Sequence, residues 1–339
     1  MYDIDGNPIS GDNVSKSKVF LDTVAPYSST DLAGYSGSVA DFYSAYDALV
    51  TAYPDYVSKT VIGMDQTNTY EIREYHFRPE TLGYGNENFP ATETINEVEL
   101  PLFLMQGCIH GNEQMASWVL LHVMKKICNE WENHPTFKFY RWNVEFRVIP
   151  IVNPYGFANN IRANSNNYDL NRYFNQTEMW LQSNAVEAYY VKNWIDTYAD
   201  TAFAFVDCHT AWAGQDRDLA WLISAHDVHE DIANSVITTL TRQWKAQYPS
   251  ITYDGLMGYT GQSTYIDPQY LTSRNYAYSV GLTNSWAFEF ANTFKNLENT
   301  KFGPYTCNAY MDLFVGTLNA LAQMMGAVIN VPNETASTT

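Results

Sequence analysis

Leu100-Pro101-Leu102-Phe103-Leu104-Met105-Gln106-Gly107-Cys108-Ile109-His110-Gly111-Asn112-Glu113 is the stretch that decides the fold. Its first six residues are almost unbrokenly apolar, the pattern of a strand buried on both faces, and predict that strand over 100–108. Met115-Ala116-Ser117-Trp118-Val119-Leu120-Leu121 then opens an amphipathic helix expected over 113–132. The junction sets His110 and Glu113 at the end of a buried strand, where open α/β sheets hold their ligands. An imidazole and a carboxylate turned to one point suit Zn²⁺. A catalytic zinc needs a third protein ligand and a free position for water.

Among the other histidines, only His209 repeats that setting. It follows the apolar run Phe203-Ala204-Phe205-Val206-Asp207-Cys208 and precedes the small-residue stretch Thr210-Ala211-Trp212-Ala213-Gly214. Alone it reads as a core histidine; beside His110 and Glu113 it reads as the third ligand. Asp207 next to it is the kind of carboxylate that fixes a ligating imidazole's tautomer. His226 and His229 lie among Asp227, Glu230 and Asp231, as at a solvated helix start. His122 falls within the long helix, His134 just beyond it, and His76 alternates with polar residues in a strand.

A further buried strand over 143–152 ends in the turn Asn153-Pro154-Tyr155-Gly156. Arg162 and the run Asp169-Leu170-Asn171-Arg172-Tyr173-Phe174 follow in a segment rich in Asn and Tyr. A long irregular segment inside a compact domain is usually functional or disordered. Its arginines can offer planar donor forks to a carboxylate or an oxyanion. Ser285-Trp286-Ala287-Phe288-Glu289-Phe290-Ala291 is apolar except for Glu289, and a lone buried carboxylate is costly unless paired or functional.

Taken in order, these pieces resemble the zinc metallocarboxypeptidases typified by carboxypeptidase A. They are His110-Gly111-Asn112-Glu113, Asn153-Pro154-Tyr155-Gly156, Arg162, Asp169 to Phe174, Asp207-Cys208-His209-Thr210-Ala211 and Trp286-Ala287-Phe288-Glu289-Phe290, spanning about 180 of 339 residues. The resemblance implies one zinc ion on His110, Glu113 and His209, with water as fourth ligand. It implies that Glu289 is the general base, that Arg162 stabilises the oxyanion, and that Asn171 and Arg172 grip a peptide's C-terminal carboxylate. A tyrosine covering the substrate falls on Tyr265 or Tyr270, and the register leaves both open. Counting back fifteen positions from Glu289 puts Arg274 at the floor of the specificity pocket, which implies a preference for acidic C-terminal residues. Asn112 departs from carboxypeptidase A, which carries Arg there, so one outer substrate contact differs.

The implied function is therefore a zinc-dependent carboxypeptidase acting on peptides with a free C-terminal carboxylate, including cell-wall peptides as possible substrates. Zinc deacylases of the aspartoacylase and succinylglutamate-desuccinylase type share the His110–Glu113 and Asp169–Arg172 motifs. The larger chain and the long 210–284 segment favour the peptidase. A non-catalytic zinc-binding structural module is a third class, and the presence of Glu289 argues against it.

With 339 residues and 46% hydrophobic content the chain supports a sizeable core. Residues 1–35 are polar and Gly/Ser-rich, an arm or added edge element; 36–330 form one catalytic domain; 331–339 are a tail. Helices are expected over 41–53, 180–198, 228–246 and 305–327. Further strands are expected over 58–63, 70–77, 202–208, 219–224 and 285–291, with an acidic loop over 80–98 and an irregular stretch from 246 to 284. Helices alternating with apolar strands give an α/β fold, a mixed, mainly parallel twisted sheet sandwiched by helices.

Nineteen Lys and Arg against 37 Asp and Glu leave a net charge of −18, which disfavours nucleic acid and anionic membranes as partners. The absence of a long apolar span or a basic-then-apolar leader points to a soluble protein, cytoplasmic or secreted with its signal removed. Oligomeric state is not legible. Asp3-Ile4-Asp5-Gly6-Asn7 lacks the downstream Glu of a calcium loop and reads as a turn. Cys108, Cys128, Cys208 and Cys307 read as reduced, structural thiols.

Overall fold

A computed structural model describes residues 38–79, 100–133, 135–211, 220–224, 257–261 and 271–291. Helix α1 (Val39–Ala52) starts at a reciprocal cap in which the Ser38 hydroxyl accepts from Asp41 N and the Asp41 carboxylate accepts from Ser38 N. Strands β1 (Val57–Met64) and β2 (Glu71–Phe77) form an antiparallel hairpin. Strand β3 (Leu102–Gly107) is buried at every position and leads to α2 (Gln114–Asn129). A 3-10 turn (Trp131–Asn133) and α3 (Pro135–Asn143) precede β4 (Glu145–Ile149). After α4 (Pro154–Asn159), the 3-10 turn Leu170–Arg172 leads to α5 (Glu178–Asn184) and α6 (Val186–Tyr198). Strands β5 (Ala202–Ala211), β6 (Ala220–Ser224) and β7 (Met257–Gly261), helix α7 (Ser273–Ser279) and strand β8 (Ser285–Ala291) complete the described chain.

All eight strands join one sheet in the order β1-β2-β4-β3-β5-β8-β6-β7. The β4–β3, β3–β5, β5–β8 and β6–β7 pairs are parallel, while β1–β2, β2–β4 and β8–β6 are antiparallel. The sheet is thus mixed, its central strands parallel and its edges turned back. Alternation along the strands divides the core. Phe103, Met105, Phe146, Val148 and Val206 pack with α1, α2 and α3 on one face. Leu102, Leu104, Ile149 and Phe205 pack with Val191 and Ile195 of α6 and Ala277 of α7 on the other. Burial on both faces explains why these strands read as continuous apolar runs.

Several boundaries differ from expectation. The helix expected over 180–198 is two helices, broken at Ala185, whose φ of −149° is extended. Helix α3 went unpredicted because Pro135 reads as a breaker, yet it occupies the first helical position, where a missing N–H is harmless. The stretch read as irregular from 246 to 284 contains β7 and α7. The N-terminal arm, the tail, and the helices expected over 228–246 and 305–327 lie outside the described residues. No helix among the described residues is long and apolar enough to cross a membrane.

Candidate metal centre

The chain leaves β3 at Gly107, and Cys108 takes a left-handed φ of 52°. It then turns through His110 and Gly111 to Glu113, the residue before α2, whose N–H donates to His110 O at 3.0 Å. Gly111 lies against the backbone of Gly156, so that any Cβ at 111 would overlap it. Gly156 is held in turn by its N–H to Asn153 Oδ1 at 2.8 Å. The Arg162 carbonyl accepts from Gly111 N at 3.3 Å and from Asn153 Nδ2 at 3.2 Å. These bonds, one between backbones and two through the Asn153 side chain, stitch three motifs distant in sequence together at the ends of β3 and β4.

His110, Glu113 and His209 are all buried, and each offers a ligand atom within 4.8 Å of the others. His110 Nδ1 lies 2.9 Å from Glu113 Oε1, and His209 Nδ1 lies 2.9 Å from Glu113 Oε2. The outer nitrogens are also held: His110 Nε2 is 3.0 Å from Asp169 Oδ1, and His209 Nε2 is 2.8 Å from Asp207 Oδ2. A carboxylate on the outer N–H fixes the tautomer that presents Nδ1 inward, the arrangement characteristic of zinc-ligating histidines. Two imidazoles and one carboxylate, with no fourth donor in the group among the described residues, match zinc with an open position.

Burial works against every charge in this cluster, and pairing overrides it. Burial alone raises the Glu113 carboxyl, but the two imidazoles hold it well below the usual carboxylate range. Asp169 is depressed in the same way by His110, Arg162 and Arg172, and Asp207 by His209 and Ser273. Burial lowers His209, yet the Asp207 and Glu113 carboxylates lift it well above its ordinary value.

Arg162 reaches the triad, with Nη1 3.1 Å from Glu113 Oε1 and Nε 2.9 Å from Asp169 Oδ2. Asn171 Nδ2 lies 3.3 Å from His209 Nε2, and Asn171 Oδ1 accepts from Ser273 N at 2.8 Å. The Asn171–Phe174 segment is zipped to Leu271, whose N–H donates to Arg172 O at 3.1 Å and whose carbonyl accepts from Phe174 N at 3.1 Å. That pairing carries α7, and with it Arg274, alongside Arg172. Arg274 is buried, which lowers its pKa to about 10; the charges of Asp207 and Glu289 oppose the shift and that of Arg172 adds to it. Glu289, half-buried, is the register partner of His209 on the neighbouring parallel strand.

Tyr265, Tyr270, His226, His229, His134 and Cys307 lie outside the described residues. His76 instead pairs with Glu145 at 2.7 Å, and His122 is buried on α2. Cys108 and Cys208 are buried free thiols, pushed by burial well above their usual range, so they pack as small apolar groups. Nothing local in the sequence marks Asp169 or Ser273 for a role at the site. Ser273 Oγ donates to Asp207 Oδ2 at 2.5 Å and accepts from Gln106 Nε2 at 3.1 Å. Thr272 before it was a legible helix-cap signal; the contact with Asp207 was not.

Solved structures share this fold. A metallo-carboxypeptidase from Burkholderia cenocepacia superposes with a TM-score of 0.62 at 15% identity, covering 85% of this chain and 70% of that one. Carboxypeptidase A from Helicoverpa armigera does so with a TM-score of 0.57 at 14% identity, over 86% and 73%. In sequence, the chain is 36% identical over 100 residues to carboxypeptidase SOL1 of Arabidopsis thaliana, covering 28% of this chain and 20% of that protein. It is 30% identical over 114 residues to carboxypeptidase D of Anas platyrhynchos, covering 31% and 8%. The aligned segments thus span no more than a fifth of those two relatives. The family itself matches far more of the chain, residues 42–300, and together with the His110–Glu113–His209 site it shows that this chain belongs to the zinc carboxypeptidase family.

Proposed function

We propose that the protein is a zinc-dependent carboxypeptidase that hydrolyses the last peptide bond of a chain with a free C-terminal carboxylate. The observation that carries this reading is the convergence on one zinc-competent triad of Arg162, 3.1 Å from Glu113, and Asn171, 3.3 Å from His209. His110, Glu113 and His209 would hold the zinc ion, which when bound would supply Lewis acidity and lower the pKa of a water molecule toward about 7. Glu289 accepts the proton of the attacking water and returns it to the leaving amine. Arg162 donates to the oxygen that becomes negative as the tetrahedral intermediate forms, a role whose loss typically costs about 10²–10³ in rate. Asn171 and Arg172 take the terminal carboxylate, the guanidinium through paired charge-assisted hydrogen bonds.

The same reading assigns specificity to Arg274. Arg172 and Arg274 sit close enough for their charges to interact, and Arg274 stays protonated at neutral pH although burial lowers it to about 10. Two guanidinium groups favour a terminus that carries a second negative charge, Asp or Glu, and repel Lys or Arg.

Zinc-loaded protein assayed on matched N-blocked dipeptides, their C-terminal amides, N-acyl amino acids and cell-wall peptides tests the proposal. The expected outcome is turnover of free-acid peptides, and an Arg172→Ala loss confined to them. Equal loss on amidated substrates overturns the exopeptidase reading. Turnover of N-acyl amino acids alone makes the protein a deacylase, and zinc binding without turnover makes it a structural module.

A further inference from the structure

Behind the site, the loop that joins Arg162 to Asp169 is closed by Asn164. Asn164 Oδ1 accepts from Asn166 N at 3.1 Å and from Tyr168 N at 3.0 Å, and Asn164 N donates to Tyr168 O at 3.0 Å. The turn includes Asn167 in a left-handed φ of 63°. Its two ends emerge as Arg162 and Asp169, whose side chains meet at 2.9 Å beside His110. The spacing of those two charged groups is therefore set by how the turn is closed.

Asn164 is itself held from below. Its amide donates to Asn184 O at 3.0 Å and to Glu187 Oε2 at 3.1 Å. Glu187, in the first turn of α6, is completely buried, and its other oxygen accepts from Gln66 N at 2.9 Å in the β1–β2 turn. Gln66 also reaches the α5–α6 junction, where its Oε1 accepts from Val186 N at 3.0 Å. No Lys or Arg among the described residues forms an ion pair with Glu187. Burial pushes its carboxyl up, the charge of Asp65 adds to the rise, and the hydrogen bonds from Gln66 and Asn164 oppose it.

We propose that Glu187 is a positioning residue, a buried carboxylate that ties Asn164 to the β1–β2 turn and so holds Arg162 and Asp169 at their working separation. The chemistry explains why an acid stands there. A carboxylate accepts from two N–H donors arriving from different segments, one on each oxygen. A glutamine would set its own NH₂ against one of them and leave a buried donor without an acceptor. The effect on catalysis rests on the role proposed above for Arg162; the bracing of the loop does not.

The test uses Glu187→Gln and Asn164→Ala in the full chain. Amide exchange at Asn166 and Tyr168, read with and without zinc, should rise by about tenfold or more in both variants as the turn opens locally. The zinc-loaded, folded variants should lose about tenfold or more in kcat with KM changed by less than about threefold, because a displaced Arg162 weakens only transition-state contacts. The double variant should be no worse than Asn164→Ala. Exchange at both amides within about twofold of the parent overturns the brace, whatever the activity. Faster exchange with kcat unchanged, in a protein where Arg162→Ala is itself impaired, overturns its link to catalysis. Arg162→Ala without effect refutes the reading of Arg162 separately. If Glu187→Gln fails to fold, Asn164→Ala, which keeps the carboxylate, carries the same measurements.

Discussion

His209 and Glu289 stand opposite one another in register on the parallel strands β5 and β8. Register partners on parallel strands project from the same face of a sheet, and the side-chain period is two, so a slip of one residue would send Glu289 to the other face. Trp286 and Phe288 pack in the α1–α2 core and Phe205 in the α6–α7 core. The apolar residues of these two strands thereby lock the register that places a carboxylate beside a metal ligand.

Zinc should bind one per chain, and His110→Ala or His209→Ala should abolish stoichiometric binding. Asp169→Asn and Asp207→Asn should keep the ligands yet weaken zinc about 10–100-fold, because each carboxylate orients an imidazole through its outer nitrogen. Competition with a chromophoric chelator measures this. Affinities equal to the parent's would show that the two carboxylates do not orient the ligands.

Glu289→Gln should retain zinc and its melting temperature while kcat falls about 10²–10⁴-fold, since the amide matches the shape and cannot take a proton. Steady-state kinetics on the zinc-quantified variant decide it. Near-parental kcat would remove Glu289 from the role of base.

Substrates identical except for a terminal Glu, Leu or Lys should be ranked in that order by kcat/KM, and Arg274→Ala should reduce the advantage of Glu by about tenfold or more. A ranking led by Leu or Lys, or one that survives Arg274→Ala, would assign Arg274 to pairing with Asp207 and Glu289 alone.

Away from the site, Glu145 anchors β4 against β2. Its carboxylate meets His76 at 2.7 Å and also pairs with Arg78 and Arg147. Burial raises this carboxyl, but the three partners outweigh it and leave it below the ordinary range. A depressed carboxyl stabilises the fold above its unfolded value of about 4.3, and that contribution disappears as pH falls through the lower folded value. Glu145→Gln should therefore be destabilised by about 1–3 kcal/mol at neutral pH and show a shallower loss of stability below about pH 4. Parallel urea titrations of parent and variant across pH 3–7 check both, and equal acid limbs would contradict the assignment.

Much of the site is legible because its residues interrupt strong patterns. His110, His209 and Glu289 are polar residues at the ends of, or within, runs that burial on both faces makes apolar, and a short-range pattern reports such an interruption directly. The resemblance alone singles out Arg162, Asn171 and Arg172. Tertiary pairing hid the rest: Asp169 acts on His110 across fifty-nine positions and Ser273 on Asp207 across sixty-six, separations at which local sequence carries no signal. Helix α7 carries a cap at Thr272 but, at seven residues, is too short for a helical period to show, and its placement depends on Leu271 pairing with the Asn171–Phe174 segment. The residues alone carry seven of the eight described strands, all but β7, together with the alternation with helices and the chemical identity of the metal-binding group. The tertiary structure alone decided which carboxylate orients which imidazole, and that Glu187 lies beneath the loop joining Arg162 to Asp169, because those relations arise from side-chain packing between segments distant in the chain.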